Sequence, residues 1–147
     1  MLKFKIKPFN KLTVHELYQI LKLRSEVFVV EQNCVYQDLD SKDQKAWHVL
    51  GYFKNEIVAY TRLFDKNLYF DEASIGRVVI SPKHRNKKWG HLLMKISIET
   101  IQTKFNTSFI TISAQEYLKK FYESHQFIQT SNTYLEDDIP HIQMKRT

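Results

Sequence analysis

"ASIGRVVISPKHRNKKWGHLL", Ala73 to Leu93, changes rhythm twice, and the fold follows from those two changes. Its first part, Ala73 to Ile80, is apolar and β-branched, as a buried strand would be. Pro82 ends that strand, because it has no backbone N–H to give to a ladder. The ten residues Ser81 to Gly90 carry five Lys, Arg or His side chains and one glycine. Leu92, Leu93, Ile96 and Ile101 then recur at helical spacing and predict a helix of about four turns, ending near Phe105–Asn106. A strand delivering into a helix start offers unpartnered N–H groups and the positive end of a dipole, which together suit an anion. Gly90 allows close approach to the backbone there, and Arg85, Lys87 and Lys88 can surround a phosphate with charge. A ligand with several phosphates fits. Taken alone, the stretch also reads as a plain basic turn or a nucleic-acid patch.

Upstream, Leu2, Phe4 and Ile6 alternate with lysines as in an edge strand. Thr13 and Glu16 have the spacing of a capping box and open a helix predicted to reach about Val30. Leu17, Leu21, Arg24 and Phe28 fall on one face of it, beside Ile20 and Val27. An arginine on an apolar face needs a carboxylate partner. Strands are predicted at Trp47–Phe53, Glu56–Phe64 and Ala73–Ile80, the first two joined by a tight turn at Lys54–Asn55. Downstream come a short buried strand in "SFITIS", a helix over "QEYLKKFYESH", and two closing strands, "FIQTSNTYLE" and "HIQMKR", around "DDIP". The order β-α-β-β-β-α-β-α-β-β implies an α/β (α+β) fold, a mixed and mostly antiparallel sheet flanked by helices. The passage from Ala73 through the following helix to "SFITIS" is expected to be a parallel, right-handed crossover.

At 147 residues and 43% hydrophobic, the chain is expected to form one folded domain over 1–147. Its apolar runs are too short to span a bilayer, and "MLKFKIKPFN" has no signal-peptide core, so the cytoplasm is the expected compartment. Cys34 is the lone cysteine, which excludes a disulfide and a Cys-rich zinc site; it reads as a buried hydrophobe or as an acyl-carrying thiol. A net charge of +6 favours an anionic partner. Asp38, Asp40 and Asp43 lack the glycine and closing glutamate of a calcium loop. They read as a solvated loop or as a lip for a cationic substrate, and no metal is expected.

"VVISPKHRNKKWGHLL" resembles the acetyl-coenzyme-A signature of the GNAT-superfamily N-acetyltransferases, an apolar strand, a proline, then Gln/Arg-x-x-Gly-x-Gly/Ala before a helix. Arg85 takes the first position and Gly90 the last, while Lys88 stands where the first glycine is usual and Asn86 departs from the common Arg-Gly start. "LKLRSEVFVVEQNCVYQDLDSKD", "EASIGRVVISP", "ISAQEYLKKFYES" and "YLEDDIPHIQM" extend the likeness over nearly the whole chain, to the ElaA-like branch. The resemblance implies a sheet splayed after its fourth strand and direct transfer of an acetyl group from acetyl-CoA, as co-substrate, to an amine. It also implies a cofactor site comprising the backbone of Val78, Val79 and Ile80, the loop Arg85, Asn86, Lys87, Lys88, Trp89, Gly90 and His91, and Gln115 and Tyr122. Tyr122 matches the family's general acid, and Gln115, seven residues earlier, matches an Asn that bonds pantetheine. On one helix the two would share a face. The Gly-Phe usual after this tyrosine reads Gln126-Phe127.

Lys88 poses a conformational question. With ordinary helical angles it would add charge at little cost, whereas a left-handed position would strain it, and Asn86 tolerates such a position better. On the acceptor side the candidates are Arg24, Glu31, His48, Arg77 and His141, with Glu72 and Ser74 further possible bases. The expected partners are acetyl-CoA and an amine, with no nucleic acid or membrane, in a monomer or homodimer. Two other readings keep the fold: a CoA-binding sensor without turnover, and a transferase of another acyl group.

Overall fold

A computed structural model describes residues 1–147. The elements are β1 (Lys3–Pro8), α1 (Val14–Arg24), β2 (Trp47–Phe53), β3 (Glu56–Phe64), β4 (Ala73–Ile80), α2 (Trp89–Lys104), β5 (Ile110–Gln115), α3 (Lys119–Glu123), β6 (Ile128–Gln129), β7 (Tyr134–Glu136) and β8 (Ile139–Arg146). The sheet runs β1-β2-β3-β4-β5-β8-β6, with β7 also paired to β8. The three central strands have the predicted bounds. The expected penultimate strand instead breaks into β6 and β7, which meet opposite ends of β8.

Thr13 opens α1 with both bonds of the capping box: its hydroxyl accepts from the Glu16 amide at 3.0 Å, and the Glu16 carboxylate accepts from the Thr13 amide at 2.9 Å. Lys7 of β1 and Tyr52 of β2 also donate to Glu16 and so pin the helix start to the sheet. Burial opposes the charge of this carboxyl, yet the Thr13, Lys7 and Tyr52 hydrogen bonds hold it down at about 2. The buried stripe is Glu16, Ile20, Leu23, Arg24 and Val27. Ile20, Leu23 and Val27 pack on Leu50, Tyr60 and Val79. Helical turns continue to Glu31 as predicted, but Ser25–Glu31 is π-helical. Such wider turns are frequent at functional sites.

The opposite face of the sheet is covered by α2, where Leu93, Met94, Ile98 and Ile101 meet Leu63, Ile75 and Ile110. Each such buried side chain contributes about 1.5–3 kcal/mol of hydrophobic stabilisation. Lys54 and Asn55 take φ 50° and 64°, as a two-residue hairpin turn requires.

Both long edges of β4 are irregular. Toward β3, Arg62 faces Gly76 and Tyr60 faces Val79, so one extra residue bulges out of β4 and Arg77 takes φ 50°. Toward β5 the pairing is parallel and covers only Ala73–Ile110 and Ser74–Thr111. Beyond Ser74 the two strands part, and the sheet splays.

The acidic segment after α1 is neither a solvated loop nor a substrate lip. Asp38 accepts from Arg24 Nε at 2.8 Å and from Arg77 Nε at 2.7 Å. Asp43 accepts from Arg24 Nη1 at 2.8 Å and Arg62 Nη1 at 2.9 Å, and Asp40 also holds Arg62. Burial raises the Asp43 carboxyl, but its hydrogen bonds from Arg24 and Arg62 outweigh this and hold it below the usual range. Three arginines from α1, β3 and β4 are thus neutralised by one segment, because buried guanidinium groups require carboxylate partners.

Candidate active site

The basic stretch forms a 3₁₀ segment, Pro82–Lys87, and Lys88 then caps α2 with φ 58° and ψ 25°. The left-handed position is therefore occupied by lysine, at a cost of about 1–2 kcal/mol relative to the right-handed region. Asn86 does not share that conformation. No side chain caps α2 and its first turn holds no acidic residue. The first amides of the helix, at Trp89, Gly90 and His91, thus lack a side-chain partner. Gly90 does not have positive φ, and a Cβ there would sit 3.5 Å from the Phe121 ring, an ordinary contact. Its value lies in leaving the backbone uncovered on the groove side.

A groove of ≈ 620 Å³ lies beside these amides, walled by the π-helical turn, the end of β4, the start of α2, and α3. Val78, Val79, Ile80, Arg85, Lys88, Gly90, His91, Gln115 and Tyr122 line it. The side chains of Asn86, Lys87 and Trp89 do not. Lys87 Nζ lies 4.3 Å from the Phe53 ring centre and 4.8 Å from that of Trp89, directed into an aromatic cluster with His84. Trp89 can serve the site only through its backbone.

A smaller chamber of ≈ 100 Å³ opens on the other side of the splay, with Arg77, Ser113, Glu136, Asp137 and His141 in its wall. Phe28, Gln32, Val78, Gln115, Leu118 and Tyr122 line both cavities. Gln115 and Tyr122 do not share a helix as predicted: Gln115 ends β5, and a 3₁₀ turn, Glu116–Leu118, precedes α3. They converge through the gap between β4 and β5 instead. Gln32 and Gln115 bond each other at 3.3 Å across that gap. Burial pushes the Tyr122 phenol well above its ordinary value, with no hydrogen bond contributing, so it stays protonated at neutral pH. Gln126 takes φ 71° and thereby keeps the turn that a glycine would make, and Phe127 is buried.

Three acceptor-side candidates are placed elsewhere. Arg24 is fully buried, and its guanidinium is spent on Asp38 and Asp43. His48 is also interior: its Nδ1 meets the Tyr60 hydroxyl at 2.6 Å and its Nε2 the Asp43 carbonyl at 2.9 Å. Burial lowers its pKa and keeps it neutral, so both ring nitrogens serve packing. Glu31 stands on the groove side, where both its oxygens accept from Arg85, at 2.5 and 2.6 Å. That hydrogen bond lowers the Glu31 carboxyl and raises the Arg85 guanidinium. Arg77 and His141 do reach the smaller chamber. Glu72 bonds the Thr111 hydroxyl and Ser74 is buried, and neither lines either cavity. Cys34 is half-buried and outside both cavities, with its Sγ donating to the Asp137 carbonyl. Desolvation and Asp137 and Asp138 raise its thiol, which disfavours the reactive thiolate.

Sequence reasoning passed over Phe28, Gln32, Leu118, Ser113 and Glu136. The π-helical turn brings in the first two, and no local signal announces it. Ser113 and Glu136 reach the chamber through the pairing of β5, β7 and β8.

A sheet parted beside an uncapped helix start, with two cavities meeting in the gap, is the architecture of an acyltransferase of the GNAT type. The chain matches the family described as Acetyltransferase (GNAT) domain over residues 12–147, and it belongs to that family. Within it the chain falls in the ElaA-like branch. It is 41% identical to protein ElaA of Escherichia coli K12 over 139 residues, 93% of this chain and 91% of that protein. The crystal structure of E. coli ElaA covers 100% of both chains at TM-score 0.93 and 38% identity. A Pseudomonas aeruginosa structure described as an acyl-CoA N-acyltransferase covers 100% of both at TM-score 0.95 and 38% identity.

Proposed function

We propose that the protein transfers an acetyl group from acetyl-CoA to an amine of a small molecule or peptide, as a single N-acetyltransferase domain in the cytoplasm. The observation that carries this reading is the junction at Tyr122, where a long groove and a small chamber share one wall. The groove suits the donor. Its diphosphate is held by the amides of Trp89, Gly90 and His91, with Arg85 and Lys88 adding charge. The pantetheine arm lies along Val78, Val79 and Ile80, where no strand covers the edge of β4 and main-chain groups need partners. Gln115 and Gln32 offer amides to the same arm. The chamber suits the acceptor amine.

The chemistry asks for a neutral amine, a polarised thioester and a proton for the leaving sulfur. Tyr122, kept protonated by burial, gives that proton. The amine acceptor is supported by the description of the P. aeruginosa relative.

Free-thiol release from acetyl-CoA with a panel of amines, joined to calorimetry with CoA, tests the reading. Tyr122→Phe is expected to lower kcat by about 10²–10⁴-fold while leaving CoA affinity unchanged. CoA binding no tighter than that of a bare polyanion of equal charge would overturn the donor assignment. CoA binding without turnover of any amine would favour a sensor.

A further inference from the structure

We propose that His141 is the base that accepts the acceptor amine's proton, and that Glu136 is the positioning residue that stabilises it once charged. The proposal rests on the acyl-transfer reading above. His141 lies in β8 opposite both Gln115 of β5 and Tyr134 of β7, so the three side chains share one face of the sheet. It is 6% exposed and lines the chamber that Tyr122 also lines.

The state of the ring follows from its neighbours. Nδ1 is 2.7 Å from the Ile139 carbonyl oxygen, which can only accept, so Nδ1 carries the hydrogen. In the neutral ring the lone pair therefore sits on Nε2. Glu136 Oε2 lies 3.5 Å from it, an acceptor that cannot satisfy it. Protonation of Nε2 converts that mismatch into an ion pair. One nitrogen is thus anchored on a carbonyl while the other, beside a carboxylate, is left with an open lone pair toward the chamber. His48 makes the contrast, because both of its nitrogens already have partners with matching roles.

Glu136 is itself held. The Ser113 hydroxyl donates to its Oε1 at 3.0 Å, Ser113 and Tyr134 share a hydrogen bond at 2.5 Å, and the Tyr134 ring stacks on His141. The other charged or titratable groups around the chamber are Asp137, Arg77, Tyr36 and Tyr122. Arg77 is already paired with Asp38, and Tyr36 donates to Asp38. What remains favours a cationic acceptor, a primary amine arriving as ammonium beside Glu136 and Asp137.

Nε2 takes one proton from the ammonium, leaving a neutral amine. The amine nitrogen bonds to the thioester carbon, the C–S bond breaks, and the departing sulfur takes the Tyr122 proton. The second proton shed by the nitrogen returns to the Tyr122 oxygen, and His141 releases its own to solvent. One ammonium and one thioester thus yield an amide, a thiol and one proton.

Long-range ¹H–¹⁵N spectra of the histidine rings, assigned with His141→Gln, provide a test that needs no turnover. The neutral ring is expected to carry hydrogen on Nδ1, and hydrogen on Nε2 would overturn the proposal whether or not the protein transfers acyl groups. In the pH profile of kcat/KM, Glu136→Gln is expected to move the acidic limb to lower pH with CoA affinity unchanged. His141→Gln is expected to abolish that limb and slow turnover about 10²–10⁴-fold. An acidic limb that Glu136→Gln leaves in place would overturn the dyad. With the expected tautomer but no amine turned over, the acyl-transfer reading itself falls, and the catalytic role of His141 with it.

Discussion

Two charged stretches flank the site, and their fates are opposite. Asp38, Asp40 and Asp43 look in sequence like a solvent-facing acidic loop, yet Asp38 and Asp43 are buried and all three are paired with arginines from distant elements. The basic run from Lys83 to Lys88 looks equally solvent-facing, and apart from half-buried His84 it is. Only Arg85 of that run is locked in an ion pair, with Glu31. The acidic segment locks α1, β3 and β4 together below the chamber. The basic one leaves an uncapped helix and two cations beside the groove. Charge in a sequence therefore says little about role until the partners are known. Buried arginines elsewhere turned one stretch into structure, while the other, with Arg85 its only paired cation, stays at the surface beside the groove.

The largest expected break in this contrast is Asp43→Ala. It removes one of the two carboxylates that each of Arg24 and Arg62 pairs with, and is expected to cost about 2–3 kcal/mol in denaturant unfolding, with CoA affinity of the folded protein unchanged. A loss below about 1 kcal/mol would make the acidic segment an ordinary surface loop. Arg85→Gln comes next and should do the reverse. Stability should stay within about 0.5 kcal/mol, because the Arg85–Glu31 pair is exposed to solvent, while calorimetry should show CoA bound about tenfold more weakly. Glu31→Gln frees Arg85 and is expected to strengthen CoA binding by a smaller factor. Equal weakening by both variants would mean that the pair itself shapes the groove. The smallest effect is expected from Lys88→Gly, which relieves the left-handed backbone and should raise stability by roughly 1 kcal/mol in thermal unfolding. Weaker CoA binding by that variant would show that the lysine's charge contributes to the grip, and tighter binding that it is a net penalty.

Much of the fold was legible in the chain. β2, β3 and β4 have their predicted bounds because period-two patterns, the Lys54–Asn55 turn and Pro82 act over a few residues each. The Thr13–Glu16 cap and the strand-to-helix passage into α2 were legible for the same reason. The break between β6 and β7 was not, since only their pairing with different parts of β8 distinguishes them from one strand. The groove-lining residues Arg85, Lys88, Gly90, Gln115 and Tyr122 came from the family resemblance, and the structure brings them together, though by a route other than a shared helix face.

The sequence by itself determined the local elements, because these depend on neighbours along the chain. Tertiary structure alone decided what the ionisable groups are for. Arg24 and His48 became interior supports, Glu31 turned toward Arg85, and Glu136 came to stand beside His141. A side chain's charge is set by solvent exclusion and by partners brought close in space, as Glu31 and Arg85 are from 54 residues apart. No pattern within a short window carries that information.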